Sequence, residues 1–109
     1  MKDTIENAKI TDIFFGIEDH GCMTLTINLE GAGWGCGFGG YNLLGEYGME
    51  AIRQLLETFE TNDLYKLKGK YVRVEFESPS GCSGIKKIGD IISDRWFSFK
   101  EFYENVNKE

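Results

Sequence analysis

The sequence predicts a single α+β domain in which helices cover one face of an antiparallel sheet of about five strands. A chain of 109 residues supports one core rather than two. Two patterns carry the prediction. Residues 23–29 alternate apolar with polar side chains, which is typical of a half-buried strand. Apolar residues then recur at helical spacing from Met49 to Phe59, which predicts an amphipathic helix over 46–60.

The first half of the chain is predicted to form three strands. Residues 5–18 are rich in β-branched and aromatic side chains and predict a strand with a kink near Asp12. The turn at 19–21 leads to the alternating strand, and residues 30–33 form the loop of a hairpin.

The glycine-rich stretch "AGWGCGFGGYN", residues 32–42, is predicted to be the second arm of this hairpin. Pairing Leu29 with Trp34 makes one face continuously apolar, and the stripe of the following helix would cover it. On the other face, three polar side chains lie opposite three glycines: Thr24 opposite Gly39, Thr26 opposite Gly37 and Asn28 opposite Gly35.

The second half is predicted to add two strands and a helix. A short helical turn ends at Gly69, and residues 71–77 alternate as a strand. A turn at 78–84 joins this strand to its hairpin partner, "IKKIGDIIS", and Ser98-x-x-Glu101 has the form of a capping box that begins a C-terminal helix. The predicted order is β-β-β-α-β-β-α, either as an open sheet or curled into a partial barrel.

Composition limits the classes of function. The net charge of −6 argues against broad affinity for nucleic acid. The basic side chains are concentrated in one region: Lys66, Lys68, Lys70, Arg73, Lys86 and Lys87. This region is either a solvated face or a local anion site on an acidic protein, and the acidic remainder could bind a basic partner.

The three cysteines lack C-x-x-C spacing, which argues against a disulfide framework or a structural zinc site and favours the reducing cytoplasm. No membrane span or signal sequence is expected. Because His20 is the only histidine, metal chemistry has few ligands, and "DHGC" at 19–22 is interpreted as a polar turn. We therefore expect no catalytic residues, no metal and no cofactor.

The glycine stretch formally matches a dinucleotide-binding pattern, since "GCGFGG" at 35–40 reads G-x-G-x-x-G. The preceding hairpin, the intervening residues 41–45 and the short chain argue against that interpretation. A Walker phosphate loop is excluded because no Gly-Lys-Ser/Thr occurs. Two interpretations remain: the bare face accepts a packing neighbour, or it admits a planar ligand.

Aromatic and guanidinium side chains supply the remaining candidates for ligand binding. Trp96 could pack in the core, or it could stack on a ligand whose charge Arg95 pairs. Arg53 and Arg73 are further candidates for an anion, and Tyr41 is a second stacking candidate.

Several motifs together resemble a family of small phage and prophage proteins: "GIEDHG", "GFGGY", "GMEAIRQLLE", "LKGKYVRV" and "IGDIISDRWF". The resemblance covers roughly residues 8–97. It implies a counter-defence protein that acts by binding, similar to the Thoeris anti-defence proteins that sequester nucleotide-derived immune signals.

These observations give two functional hypotheses. The first is a non-enzymatic sponge in the host cytoplasm, in which Trp96 or Tyr41 stacks on a nucleotide-like ligand, Arg53 or Arg73 holds phosphate, and the Gly/Thr face shapes a pocket. Such a site could form between subunits of a homo-oligomer. The second is an inhibitor of the anti-CRISPR type that binds a host defence protein through an acidic surface.

Overall fold

The computed structural model describes residues 5–18, 21–40, 43, 46–77 and 84–106. Within these ranges the chain is an α+β fold with a six-stranded antiparallel sheet, two α-helices and one 3₁₀ helix. The strands are β1 (Ile5–Ile17), β2 (Met23–Gly31), β3 (Trp34–Gly40), β4 (Tyr71–Phe76), β5 (Ile85–Gly89) and β6 (Trp96–Phe97). The helices are α1 (Gly48–Thr58), the 3₁₀ helix Leu64–Leu67 and α2 (Phe99–Val106).

The sheet has the strand order β3-β2-β1-β4-β5-β6, so β1 lies in its interior and pairs with two neighbours. Its N-terminal part pairs with β4, and its C-terminal part pairs with β2. A bulge between Ile10 and Asp12 interrupts the pairing with β2 shortly after the pairing with β4 ends at Lys9, which confirms the predicted kink. The sheet is open rather than a partial barrel, although β3 and β5 approach within 8 Å at Cα.

The hairpin of β2 and β3 is confirmed, but its predicted register is wrong by two residues. Its loop has two residues, Ala32 and Gly33, instead of the predicted four, so Gly31 pairs with Trp34 and Leu29 with Cys36. Gly33 has φ of +80°, a left-handed conformation that glycine adopts readily at the second central residue of a tight turn. Because the shift is even, the predicted division into an apolar face and a Thr/Asn/Gly face is preserved.

The apolar face of the sheet forms one core together with both helices. Alternate residues of β2 are fully buried, and β4 contributes Val72 and Val74. Ala51 and Leu55 are the most deeply buried side chains of α1, and α2 contributes Phe99 and Phe102 to the same continuous core. Phe38 of β3 packs against Phe99, with ring centroids 5.6 Å apart.

Two predictions about the second half of the chain need correction. The hairpin partner of β4 is shorter than predicted: β5 ends at Gly89, and residues 90–95 form a loop. Trp96 and Phe97 then form a sixth strand that pairs with Ile88 and Gly89. The loop breaks the strand because the Asp90 carboxylate accepts hydrogen bonds from the N–H groups of Ile92 and Ser93.

The structure confirms the predicted cap of α2 and the helical turn before Gly69, whereas two predicted turns fall largely outside the described residues. The Ser98 hydroxyl accepts a hydrogen bond from the Glu101 N–H at 3.2 Å, which is the N-cap hydrogen bond of the predicted capping box. The helical turn before Gly69 is the 3₁₀ helix, and Gly69 has φ of +86°. The turns at 19–21 and 78–84 fall largely outside the described residues, as do His20 and Tyr41.

Candidate functional site

The outer face of the sheet, opposite the core, carries the predicted Gly/Thr strip at the β3 edge. Thr26 pairs with Gly39 and Asn28 with Gly37, so these four residues share that face. Thr24 is only 2% exposed, and its hydroxyl donates to the Cys22 carbonyl. The strip accessible to a ligand therefore excludes the Thr24 hydroxyl.

The glycines of this strip differ in whether the surrounding atoms leave room for a Cβ. A Cβ on Gly39 would collide with the backbone carbonyl of Leu25, so close approach of β2 and β3 requires glycine there. A Cβ on Gly37 would lie 3.4 Å from a methyl group of Thr26, and one on Gly35 would meet nothing closer than 3.8 Å. The chain's own packing therefore leaves Gly35 and Gly37 free to carry a side chain.

A second group of predicted residues converges at the other end of the sheet. Arg73, Gly89 and Trp96 lie side by side in one row across β4, β5 and β6. The Trp96 ring covers Gly89, where a Cβ would approach the ring to 2.6 Å. The Arg73 guanidinium lies 4.6 Å from the centroid of the Trp96 ring, within the range of a cation–π interaction.

Arg73 also holds the loop 90–95 in place. Its Nε donates to the Asp90 carbonyl at 2.8 Å, and its Nη2 donates to the Ser93 carbonyl at 2.6 Å. The hydrogen bond from the Ser93 N–H lowers the pKa of the Asp90 carboxyl below its ordinary value of 3.8. The loop is thus tied to the sheet at several points, which fixes the direction from which Trp96 enters β6.

Two lysines on β5, Lys86 and Lys87, extend this group, and the sequence indicated them only as part of the wider basic region. The Lys87 ammonium lies 5.0 Å from the centroid of the Trp96 ring. Glu75 of β4 forms ion pairs with Lys86 at 3.5 Å and with Lys87 at 3.8 Å. A register shift in the β4–β5 pairing makes room for both lysines between two inward-facing isoleucines.

The sequence does contain a pattern that indicates an irregular strand at these two lysines. In "IKKI", residues 85–88, two polar residues separate two apolar ones, whereas a regular strand alternates one by one. A bulge is the local structure that allows both isoleucines to reach the core.

Arg95 and Trp96 meet again in a shallow cleft between β6 and α1. The cleft has a volume of about 280 Å³ and is lined by Gln54, Glu57, Thr58, Arg95, Trp96 and Phe97. The Arg95 guanidinium pairs with Glu60 at 2.9 Å, and this hydrogen bond raises the pKa of Arg95 above its ordinary value. The charge of Arg95 is therefore already balanced by Glu60 within the chain.

Arg53 is placed on the exposed side of α1. It pairs with Glu57 at 2.8 Å and with Glu50 at 3.7 Å, one helical turn away in each direction. Glu57 is the residue that links Arg53 to the shallow cleft. The structure thus brings Arg73 to the Trp96 ring and places Arg95 in the cleft beside α1, while the Gly/Thr strip lies at the opposite edge in the strand order.

The described residues give no sign of a metal centre or a membrane span. No group of three or more His, Cys, Asp or Glu side chains is arranged to hold a metal ion within the described ranges. Neither α-helix of this part of the chain is long and apolar enough to cross a membrane.

Comparison of the chain with protein-family models, with curated proteins and with solved structures finds no match.

Proposed function

We propose that the protein is a phage- or prophage-encoded counter-defence protein that binds a nucleotide-derived signalling molecule in the host cytoplasm and holds it without catalysis. One observation carries the proposal: Arg73 and Lys87 both lie within about 5 Å of the Trp96 ring on the outer face of the sheet. An aromatic ring beside cationic groups suits a ligand that combines a planar base with phosphate.

In the proposed binding mode the ligand's base stacks on the Trp96 ring, which is half-buried and lies against Gly89 on one side. The base takes the place of the Lys87 ammonium, which lies 5.0 Å from the ring centroid in the free protein. Lys87 supplies the charge for phosphate, exchanging its 3.8 Å contact with Glu75 for the ligand. Arg73 keeps its bonds to the loop and positions the ring.

Calorimetric titration with a panel of cyclic nucleotides and cyclic ADP-ribose isomers tests the proposal. We expect saturable binding by at least one of them. Replacing Trp96 by Leu removes the stacking surface and is expected to weaken that binding by about fivefold or more, since stacking contributes about 1–3 kcal/mol per base. Lys87→Gln is expected to weaken it by about fivefold through loss of the ionic contact.

Lys66→Gln is the matched control, because Lys66 lies on the 3₁₀ helix and donates to Asn62, away from the sheet face. It is expected to bind like the parent protein. Absence of heat with every nucleotide of the panel, or equal binding by Lys87→Gln and Lys66→Gln, would overturn the proposed function.

The exposed acidic side of α1 favours a second candidate function, direct inhibition of a host defence protein. Glu50, Glu57 and Glu60 are exposed on or just after this helix, and their ion pairs with Arg53 and Arg95 neutralise only part of their charge. Such a surface would bind a basic partner electrostatically. If a purified CRISPR nuclease binds the protein and Glu50→Lys with Glu57→Lys abolishes this binding, while no nucleotide binds, the inhibitor replaces the sponge.

A further inference from the structure

The outer face of the sheet carries a second aromatic side chain beside a lysine. Tyr71 begins β4 and is 59% exposed. The Lys9 ammonium of the neighbouring strand β1 lies 5.8 Å from the centroid of the Tyr71 ring. The arrangement at Trp96 is similar, since the Lys87 ammonium of the adjacent strand lies 5.0 Å from that ring. Each ring thus has a cation within the range of a cation–π interaction.

The pairing of the strands places the two rings near each other. Tyr71 and Arg73 are two residues apart on β4, so their side chains leave the sheet on the same face. The Arg73 guanidinium in turn lies 4.6 Å from the centroid of the Trp96 ring. Because the Trp96 ring covers Gly89 on β5, the two rings are one strand and two residues apart, or about 8 Å. This spacing suits two bases that belong to one small molecule.

Tyr71 is open to a ligand on this face. Its side chain lies outside the core cluster, although its neighbour Val72 is fully buried. Among the described residues, α1 and α2 both pack against the opposite, apolar face of the sheet, so neither helix covers the ring.

The lysines beside the two rings can pair with phosphate. Glu75 pairs with Lys86 at 3.5 Å and with Lys87 at 3.8 Å, so it keeps one lysine when Lys87 turns to a ligand. Lys9 has no ion pair among the described residues, although Glu30 lies opposite it on β2. One ammonium group at each ring is therefore available to a phosphate oxygen.

We propose that the ligand of the nucleotide site contains two nucleobases joined through phosphate, one stacked on Trp96 and the other on Tyr71. Each base displaces a lysine ammonium from its ring, Lys87 at Trp96 and Lys9 at Tyr71, and both ammonium groups then pair with the linking phosphate. This inference rests on the proposed function and extends it from one nucleotide to a dinucleotide. The net charge of −6 favours a short ligand, because each further phosphate of a longer strand is repelled.

Calorimetric titration with adenosine monophosphate and with adenylyl-adenosine tests the second stacking position. Adenylyl-adenosine joins two adenosines by one phosphodiester, and we expect it to bind about fivefold or more tightly because the second base adds its own stacking. A phosphodiester carries less negative charge than the phosphate of adenosine monophosphate, so charge would not explain tighter binding of the dinucleotide.

Substitutions at the two rings separate their contributions. Tyr71→Leu is expected to weaken binding of the dinucleotide about fivefold or more and to leave binding of the mononucleotide unchanged. Trp96→Leu is expected to weaken both, and Tyr71→Phe, which keeps a ring, is expected to bind like the parent protein. Tyr65→Leu is the matched control, because Tyr65 is 54% exposed on the 3₁₀ helix.

The outcomes distinguish this inference from the proposed function. Equal binding of the two ligands by the parent protein, or unchanged binding of the dinucleotide by Tyr71→Leu, would overturn the second position and leave the proposed function with Trp96 alone. Absence of binding by both ligands would overturn both proposals. Binding of an adenosine hexanucleotide about tenfold or more tightly than the dinucleotide would replace the two-base ligand by single-stranded nucleic acid.

Discussion

At the scale of single residues, two glycines on the same strand face play different parts. Gly39 is required because any Cβ would meet the backbone of β2, which cannot move without breaking the pairing of Thr26 with Gly39. Gly37 has ordinary van der Waals space for a Cβ. The alternating glycines predicted a bare face correctly, but only neighbouring atoms distinguish the required glycine from the replaceable one.

Replacing each of these glycines by alanine is expected to change stability in opposite directions. Gly37→Ala should raise the free energy of unfolding by about 0.5–1 kcal/mol, because glycine in a strand loses more conformational entropy on folding. Gly39→Ala should lower it by about 2 kcal/mol or more through the clash with Leu25. Urea denaturation measures both, and equal effects of the two substitutions would contradict this distinction.

The Asp90 carboxylate is expected to make the stability of the loop depend on pH. Its pKa is lowered in the folded chain, so its contribution is present above the ordinary value of 3.8 and is lost as pH falls through the folded pKa. Asp90→Asn should lower the free energy of unfolding by about 1 kcal/mol at neutral pH. The difference from the parent protein should shrink below pH 3.8, as thermal unfolding across pH would show; a constant difference would contradict it.

At the scale of secondary-structure elements, both register irregularities of the sheet occur where two polar residues separate two isoleucines. "ITDI" at 10–13 lies at the β1 bulge, and "IKKI" at 85–88 lies at the β4–β5 irregularity. The long strands could be predicted because their faces differ in polarity. The short β6 could not, since two residues carry no periodic signal and Ile91-Ile92 before them resemble a continued strand.

Deleting Lys86 is expected to be tolerated, because the shortened "IKI" restores regular alternation with both isoleucines facing the core. The free energy of unfolding should change by about 1 kcal/mol or less, near the cost of an ordinary substitution. Deleting Arg73 from the regular part of β4 is the contrasting variant. It would turn Val74 or Val72 away from the core, and circular dichroism should show loss of the fold.

At the scale of the whole molecule, the curvature of the sheet is supported by Trp34 at the start of β3. Its ring meets Phe76 of β4 edge-on, with centroids 5.0 Å apart, and its Nε1 donates to the Glu6 carboxylate of β1 at 2.9 Å. One side chain thus connects three strands. The sequence predicted that Trp34 faces inward, but its partners depend on the strand order, as does the convergence of Arg73 with Trp96.

Shortening Trp34 is expected to test this connection. Trp34→Phe keeps an aromatic ring against Phe76 and should cost about 1 kcal/mol for the lost hydrogen bond. Trp34→Ala should cost about 2–3 kcal/mol, below the range for a fully buried tryptophan because this ring is half-buried. Urea denaturation measures both variants. Equal costs would show that the ring contact with Phe76 contributes nothing.

The interior position of β1 has a consequence for how the chain folds during synthesis. Its C-terminal part pairs with β2, which follows within a few residues, so that hairpin can form early. Its N-terminal part must wait for β4, since Ile5 pairs with Glu75. Closing that long loop makes completion of the sheet the slower event, and until then the N-terminal part of β1 exposes an unpaired edge.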